Sequence, residues 1–364
     1  MAVRSVVLFS GGLDSALAAA VLLRNSVEVI GMNFVTPFYD SSLLAQEQAA
    51  SLGIELVVYR TGDDYIQLIA NPQWGYGKGA NPCVDCRIAM CRAAGEIMRN
   101  KNADFVATGE IAGQRPNSQM QHQLSLIARE SGLNGFLVRP LSASVLEPSE
   151  AEKRGLIDRT KLYGYTGRGR GHLVVLAKKL GIKKIPQPST GCFLCEKSYA
   201  PKIFDLFKYE SNPTDWDAQI LNAGRQIRIN ENIKAVVARN ETQCEKLKQL
   251  FNKNNTRTTA LFIPETFNAT TIMLINKNPF NINQKSVNQN SINQNNINGI
   301  DDQIIKLGEA LIIKFTPSHK INTVDRTIRI KIKSNNNTTE FLYNNSEDIN
   351  NILNKDFSWQ LIVG

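Results

Sequence analysis

The sequence predicts an α/β protein: a doubly wound parallel sheet over residues 1–210, then a smaller α+β or β-rich domain over residues 211–364. Three observations carry this expectation. Strands and helices alternate through the first half, a Gly-Gly turn joins the first strand to the first helix, and composition shifts after about Asn212. A chain of 364 residues also exceeds what one core usually fills.

In order, residues 5–9 read as an apolar strand running into Gly11-Gly12, and 16–23 as an alanine-rich helix. Residues 27–34 repeat the strand pattern, 43–52 a helix that stops at Gly53, and 54–59 a third strand. Helices over 64–70 and 88–100 and a strand over 105–108 complete the alternation, and residues 166–185 read as a basic helix ending in a Pro-rich loop. Such order implies ligands beyond the carboxyl ends of the strands. Past residue 212 the alternation Thr327-Ile328-Arg329-Ile330-Lys331-Ile332 suggests exposed strands. Residues 276–298, ten of whose 23 residues are Asn, read as a disordered surface insertion because they offer too little apolar surface to bury.

With 42% hydrophobic and 21% charged residues, wholesale disorder and collagen-like repeats are excluded. No window approaches the ~20 apolar residues of a membrane span, and the N-terminal apolar run is too short for a signal peptide, so a cytoplasmic location is expected. The net charge of +9 favours a polyanionic partner, nucleic acid first. That excess is matched by one stretch, residues 153–184, with ten basic residues against Asp158 alone. Arg168, Arg170, Lys178, Lys179, Lys183 and Lys184 are therefore the candidate RNA contacts, giving affinity and orientation but no sequence choice.

The most specific feature is Ser10-Gly11-Gly12-Leu13-Asp14-Ser15, between strand and helix. Two glycines let the backbone approach an anion, free amides at a helix start attract it, and two serines add hydroxyl donors. No GxxxxGK[ST] string is present, so this is not the loop of ordinary ATPases and GTPases. Four of six cysteines form two CxxC pairs, Cys83/Cys86 and Cys192/Cys195, a spacing that in a reducing compartment reads as metal binding or thiol chemistry. Cys91 and Cys244 read as small packing residues, and His122 and His172 as surface residues; His319 suggests no role.

The string SGGLDS resembles the PP-loop of the N-type ATP pyrophosphatases. That resemblance implies ATP as cofactor, with Ser10, Gly11, Gly12 and Ser15 around its pyrophosphate and Asp14 holding Mg2+. It also implies that Met32 and Phe34 flank the adenine and that Thr108 and Gly109 form a second nucleotide-side segment. Where tRNA-thiolating members carry His after that Thr-Gly, this chain has Glu110. Arg115 stands where related enzymes use Lys.

Around the cysteines, NPCVDC at 81–86 and STGCF at 189–193 resemble the catalytic segments of the tRNA 2-thiouridine synthases of the MnmA type. There Cys192 matches the persulfide carrier and Cys86 its resolving thiol. Cys83 departs from that pattern and instead resembles the iron-sulfur tRNA thiolases, in which Cys83, Cys86 and Cys192 would hold a [4Fe-4S] cluster. Adding Cys195 gives a four-cysteine zinc set, and these options stay open. Segments at 109–119, 138–143 and 165–182 resemble the thiouridylase-like, ThiI-like subgroup, and together the matches span about residues 4–210. Residues 223–247 faintly resemble a small RNA-binding tail domain.

The expectation is thus an ATP-dependent tRNA sulfurtransferase that adenylates a uridine O2 or O4 and replaces it with sulfur. Its partners would be tRNA and a sulfur donor, a cysteine desulfurase relay or sulfide, with no membrane and a homodimer left open. The alternatives are another PP-loop ligase such as a tRNA lysidine synthetase, which needs neither Cys86 nor Cys192, and a zinc-stapled RNA-binding protein with a vestigial loop.

Overall fold

A computed structural model of the chain describes residues 2–182, 184–187, 191–254, 257–278, 302–316, 326–334, 337–345 and 360–361. Elements follow in the order β1 (Arg4–Leu8), α1 (Leu13–Arg24), β2 (Glu28–Val35), α2 (Ser42–Leu52), β3 (Glu55–Arg60), α3 (Asp63–Ala70), α4 (Cys83–Asn100) and β4 (Phe105–Thr108). After these come α5 (Gln121–Glu130), β5 (Leu137–Val138), α6 (Glu150–Lys153) and α7 (Gly171–Lys179). The five strands pair in parallel in the order β3-β2-β1-β4-β5. The order reverses between β1 and β4, which leaves a crevice at their carboxyl ends. This is the doubly wound α/β sheet that the sequence predicts.

Its central strands are buried on both faces, so they are continuously apolar: Val6 and Val7 of β1 are fully buried. Ala16, Ala19 and Ala20 of α1 join Val7, Phe9, Phe105 and Ala107 in one core cluster, small side chains bringing the helix close to the sheet. Two boundaries differ from the sequence expectation. Helix α4 begins at Cys83, five residues before the expected start at 88, because Asp85 in its first turn accepts from the backbone N–H groups of Gln73 at 2.8 Å and Trp74 at 3.2 Å. Helix α7 covers only Gly171–Lys179, not 166–185, since the preceding residues are spent elsewhere: Tyr165 N–H donates to the Leu141 carbonyl and Gly167 N–H to that of Ala112, both at 2.8 Å.

The chain divides into two compact units, Met1–Ala200 and Pro201–Gly364. In the second lie α8 (Ala200–Tyr209), α9 (Asp215–Ile220), β6 (Arg225–Arg228), β7 (Ile233–Val237), α10 (Glu241–Lys253), β8 (Thr258–Pro264) and β9 (Ile272–Asn276). They are followed by α11 (Asp302–Phe315), β10 (Arg326–Ser334), β11 (Asn337–Asn345) and β12 (Gln360–Leu361). Its seven strands form an antiparallel sheet ordered β11-β10-β8-β9-β7-β6-β12. Alternation sorts the residues: Ala260 and Phe262 pack with Ile305 and Ile312 of α11 on one face, while Leu261 packs with Leu247 and Phe251 of α10 on the other.

The strand around 327–332 is not an exposed one. β10 lies between β8 and β11, with Ile328, Ile330 and Ile332 buried and Arg329 paired outward to Glu265 and Glu340. Most of the Asn-rich segment (279–298), Lys183 and His319 lie outside the described residues. No described helix is long and apolar enough to cross a membrane.

Candidate active site

Beyond the end of β1, Ser10, Gly11 and Gly12 turn the chain into α1. Gly11 has φ +72, and a Cβ there would meet the backbone of Leu44 and Ala45 at 2.7 Å, so glycine alone allows the loop to lie against α2. Ser10 Oγ accepts from the Gly12 N–H at 3.3 Å, and Ser15 Oγ donates to the Gly12 carbonyl at 2.9 Å. No side chain caps the start of α1, which leaves its first N–H groups for an anion or water.

A cavity of about 420 Å³ opens at this loop. Its wall includes Ser10, Gly12, Asp14, Ser15, Met32, Phe34, Thr108 and Gly109, eight of the nine nucleotide residues expected from sequence; Gly11 supports the loop from behind. Phe34 is held in place by stacking on Tyr59, centroids 5.4 Å apart, with Tyr65 edge-on at 5.7 Å. The loop after β4 crosses α1 so closely that a Cβ on Gly109 would stand 2.5 Å from the Asp14 backbone carbonyl. Gly109→Ala is therefore expected to destabilise the unit by about 1–3 kcal/mol and to displace Asp14. Denaturation midpoints and titration with an ATP analogue would both move; an unchanged pair of values would contradict the contact.

Asp14 Oδ2 accepts from Gln114 Nε2 at 3.1 Å. Burial pushes its carboxyl up, against the pull of that hydrogen bond and of Arg115 and Arg170. The other carboxylate in the wall, Glu110, is 2% exposed and already engaged: Arg87 Nε lies 3.2 Å and Arg139 Nε 3.1 Å from its oxygens, and Thr108 Oγ1 donates to it at 3.1 Å. Among the described lining residues Asp14 is thus the carboxylate not held by an arginine, and it suits the cation that would accompany nucleotide phosphates.

The four CxxC cysteines come together at the edge of this cavity. Cys83 and Cys86 share one face of the first turn of α4, and Cys192 lines the cavity itself. The loop 77–82 binds the second cysteine loop through Ala80 N–H and the Leu194 carbonyl at 3.0 Å, and Phe193 N–H donates to the Phe38 carbonyl at 3.1 Å. Their environments differ. The Cys195 thiol donates to Cys83, and that bond, with the Asn81 amide at 3.1 Å, holds Cys83 down at about 6 despite burial. Cys195 is correspondingly pushed up. Burial first, and then the neighbouring thiols, push Cys192 up to about 12. Burial also raises Cys86, whose Sγ lies 3.1 Å from the Tyr65 hydroxyl.

All six cysteines are free. The thiol donors suit zinc or an iron-sulfur cluster, but their arrangement does not. Among the described residues no three or more His, Cys, Asp or Glu side chains are grouped so as to hold a metal ion: Cys83 and Cys195 hydrogen-bond to each other, and Cys86 is turned to the Tyr65 hydroxyl. No step is derived through such a centre. Cys91 is fully buried, as its packing role requires.

The candidate RNA residues fall in different places. Arg168 and Arg170 line the cavity, Lys178 and Lys179 are exposed on the last turn of α7, and Lys184 is paired with Glu47 at 2.8 Å. His122 is exposed on α5, whereas His172 is not a simple surface residue: its Nε2 is enclosed and its ring lies 4.5 Å from that of Tyr165. Arg87, Gln119 and Tyr65 were not foreseen. Tyr65 and Arg87 reach the site through the packing of α3 and α4, and Gln119 through a loop closed by its backbone bonds to Gly113 and Arg115.

Residues 1–145 match the family described as thiamine biosynthesis protein (ThiI). Over those residues the chain is similar to PP-loop proteins of the thiouridylase-like kind. A tRNA-specific 2-thiouridylase MnmA of Pelobacter propionicus is 36% identical over 120 residues, covering 29% of this chain and 33% of the relative. One of Dehalococcoides mccartyi is 34% identical over 121 residues, with 29% and 34% covered. The chain thus spans about a third of the length of the curated relatives it matches. Among solved structures, a 4-thiouridine synthetase in complex with RNA and bound ATP is 22% identical with a TM-score of 0.37, covering 50% of this chain and 42% of that one.

Proposed function

We propose that the chain is an ATP-dependent tRNA sulfurtransferase acting in the cytoplasm. The observation that carries this reading is the presence of Cys192 in the wall of the cavity that the PP-loop residues Ser10, Gly12, Asp14 and Ser15 also line. An activating site and a thiol site share one chamber, as replacement of oxygen by sulfur requires. ATP would lie with its phosphates toward Ser10, Ser15 and the start of α1 and its base toward Met32 and Phe34. Mg2+, held through Asp14, would neutralise the pyrophosphate. A uridine O2 or O4 then attacks the α-phosphorus and pyrophosphate leaves. The outer sulfur of a persulfide on Cys192 attacks the activated carbon, and AMP departs with the oxygen. A Cys86 thiolate then attacks the Cys192 sulfur, the S–S bond to the transferred sulfur breaks, and thiouridine leaves as Cys86 and Cys192 close a disulfide.

The test is incubation of the full chain with ATP, tRNA and a sulfur donor, followed by assay of pyrophosphate and nucleoside analysis of the tRNA. Thiouridine with matching AMP and pyrophosphate is expected. Intact ATP and unmodified tRNA would sink the proposal, and full activity in a C86S/C192S double variant would move it to a PP-loop ligase that needs no sulfur. Iron, zinc and acid-labile sulfide analysis after anaerobic purification separates a resident centre from a persulfide pair.

A further inference from the structure

The basic segment supplies residues of two kinds. Lys178 and Lys179 point into solvent, but Arg168 and Arg170 stand in the cavity wall with Arg87 and Arg115. Arg87 is committed to Glu110. Arg115 and Arg168 are exposed and Arg170 is half-buried, and none of the three forms an ion pair among the described residues, so their charge is open to a ligand entering the cavity. Their setting is built rather than incidental. The backbone ahead of them is pinned to Leu141 and Ala112 through Tyr165 and Gly167, and the Arg170 guanidinium donates to the Pro186 carbonyl. Beside them His172 Nε2 is enclosed without a hydrogen-bond partner. Three arginines thus line a chamber whose carboxylate not paired to an arginine is Asp14 alone among the described lining residues, an excess that a multiply charged anion would balance.

We propose that Arg168 and Arg170, with Arg115, bind the phosphates of the nucleotide in this cavity and are not part of the RNA-contacting surface. The assignment rests on the nucleotide reading given above and deepens it. A planar guanidinium meets two phosphate oxygens at once, which a flexible lysine does not, and this accounts for arginine at the cavity and lysine on the open face of α7. During adenylation the bond between the α-phosphorus and the bridging oxygen breaks as the substrate oxygen bonds to that phosphorus. The bonding pair leaves with the pyrophosphate, and fixed cations stabilise the charge that develops there.

Calorimetric titration of the full chain with a non-hydrolysable ATP analogue and, separately, with adenosine tests the assignment. In R170Q and in R168Q/R170Q the analogue should bind about 10-fold or more weakly, with adenosine affinity retained and R170K recovering part of the loss. The same variants should bind tRNA as the wild type does. Unchanged analogue affinity with weakened tRNA binding overturns the proposal, as does an equal loss for adenosine, which would report a collapsed cavity. A wild-type chain that binds neither the analogue nor adenosine removes the nucleotide reading itself, a result distinct from either.

Discussion

Glu110→Gln is expected to lower the stability of the first unit by about 3 kcal/mol, and its melting temperature by roughly 6–12 °C for a unit of this size. Glu110 is buried between two arginines that approach from different elements, Arg87 on α4 and Arg139 after β5. Arg139 is itself 8% exposed and donates to the Leu124 carbonyl at 2.9 Å, so it has nowhere to rotate toward water. Glutamine keeps the shape and removes the charge, and both guanidinium groups then lose their counter-ion in a place water reaches poorly. Surface pairs offer the contrast: Lys184 with Glu47 is more than half exposed on both sides and should contribute within about 1 kcal/mol. Urea denaturation of E110Q beside K184Q checks the ranking. Comparable small losses in both would show that Glu110 is solvated and free to face a ligand.

The position of Glu110 also illustrates where sequence reading stops. Resemblance places a nucleotide-side residue at 110, but a carboxylate there gains its meaning from Arg87 and Arg139, 23 residues before it and 29 after it in the chain. Contacts of that sort leave no periodic trace. The sheet itself was legible because strands buried on both faces are continuously apolar, as 6–8 and 105–107 are. The cavity wall at residues 10–15 was legible because a turn of Gly and Ser between strand and helix favours an anion-accepting loop. The start of α4 was not, since Pro82-Cys83 resembles a loop until Asp85 is seen to accept two backbone N–H groups from residues 73 and 74. The division of the basic segment was hidden for a related reason. Charge density along the chain says nothing of direction, and the pinning of 165–167 to Leu141 and Ala112 is what sets Arg168 and Arg170 in the cavity lining while the lysines of α7 stay exposed.

The cysteine group should show a large reactivity difference at neutral pH, with Cys83 alkylated first. At pH 7 a thiol at about 6 is roughly 90% thiolate, and one at about 12 has a thiolate fraction on the order of 10⁻⁵. The more acidic thiolate is intrinsically the weaker nucleophile, by a few hundred-fold over this interval, so Cys83 should outpace Cys192 by roughly 100-fold. The sign of the pH dependence follows from the causes. Cys83 is lowered first by the Cys195 donor and then, against its own burial, by the Asn81 amide and by Arg87, so its labelling should rise up to about pH 6 and level off above. Cys86 and Cys192 are raised by burial and should still be gaining reactivity at pH 9. Asn81→Ala and Cys195→Ser each remove part of what lowers Cys83 and should shift its plateau to higher pH, C195S less because a hydroxyl still donates. Mass-spectrometric mapping of iodoacetamide adducts under reducing conditions reads all of this in one series. Preferential labelling of Cys192 would overturn the expected order, whereas a Cys83 plateau that persists in N81A and C195S alike would assign its acidity to the first turn of α4 instead.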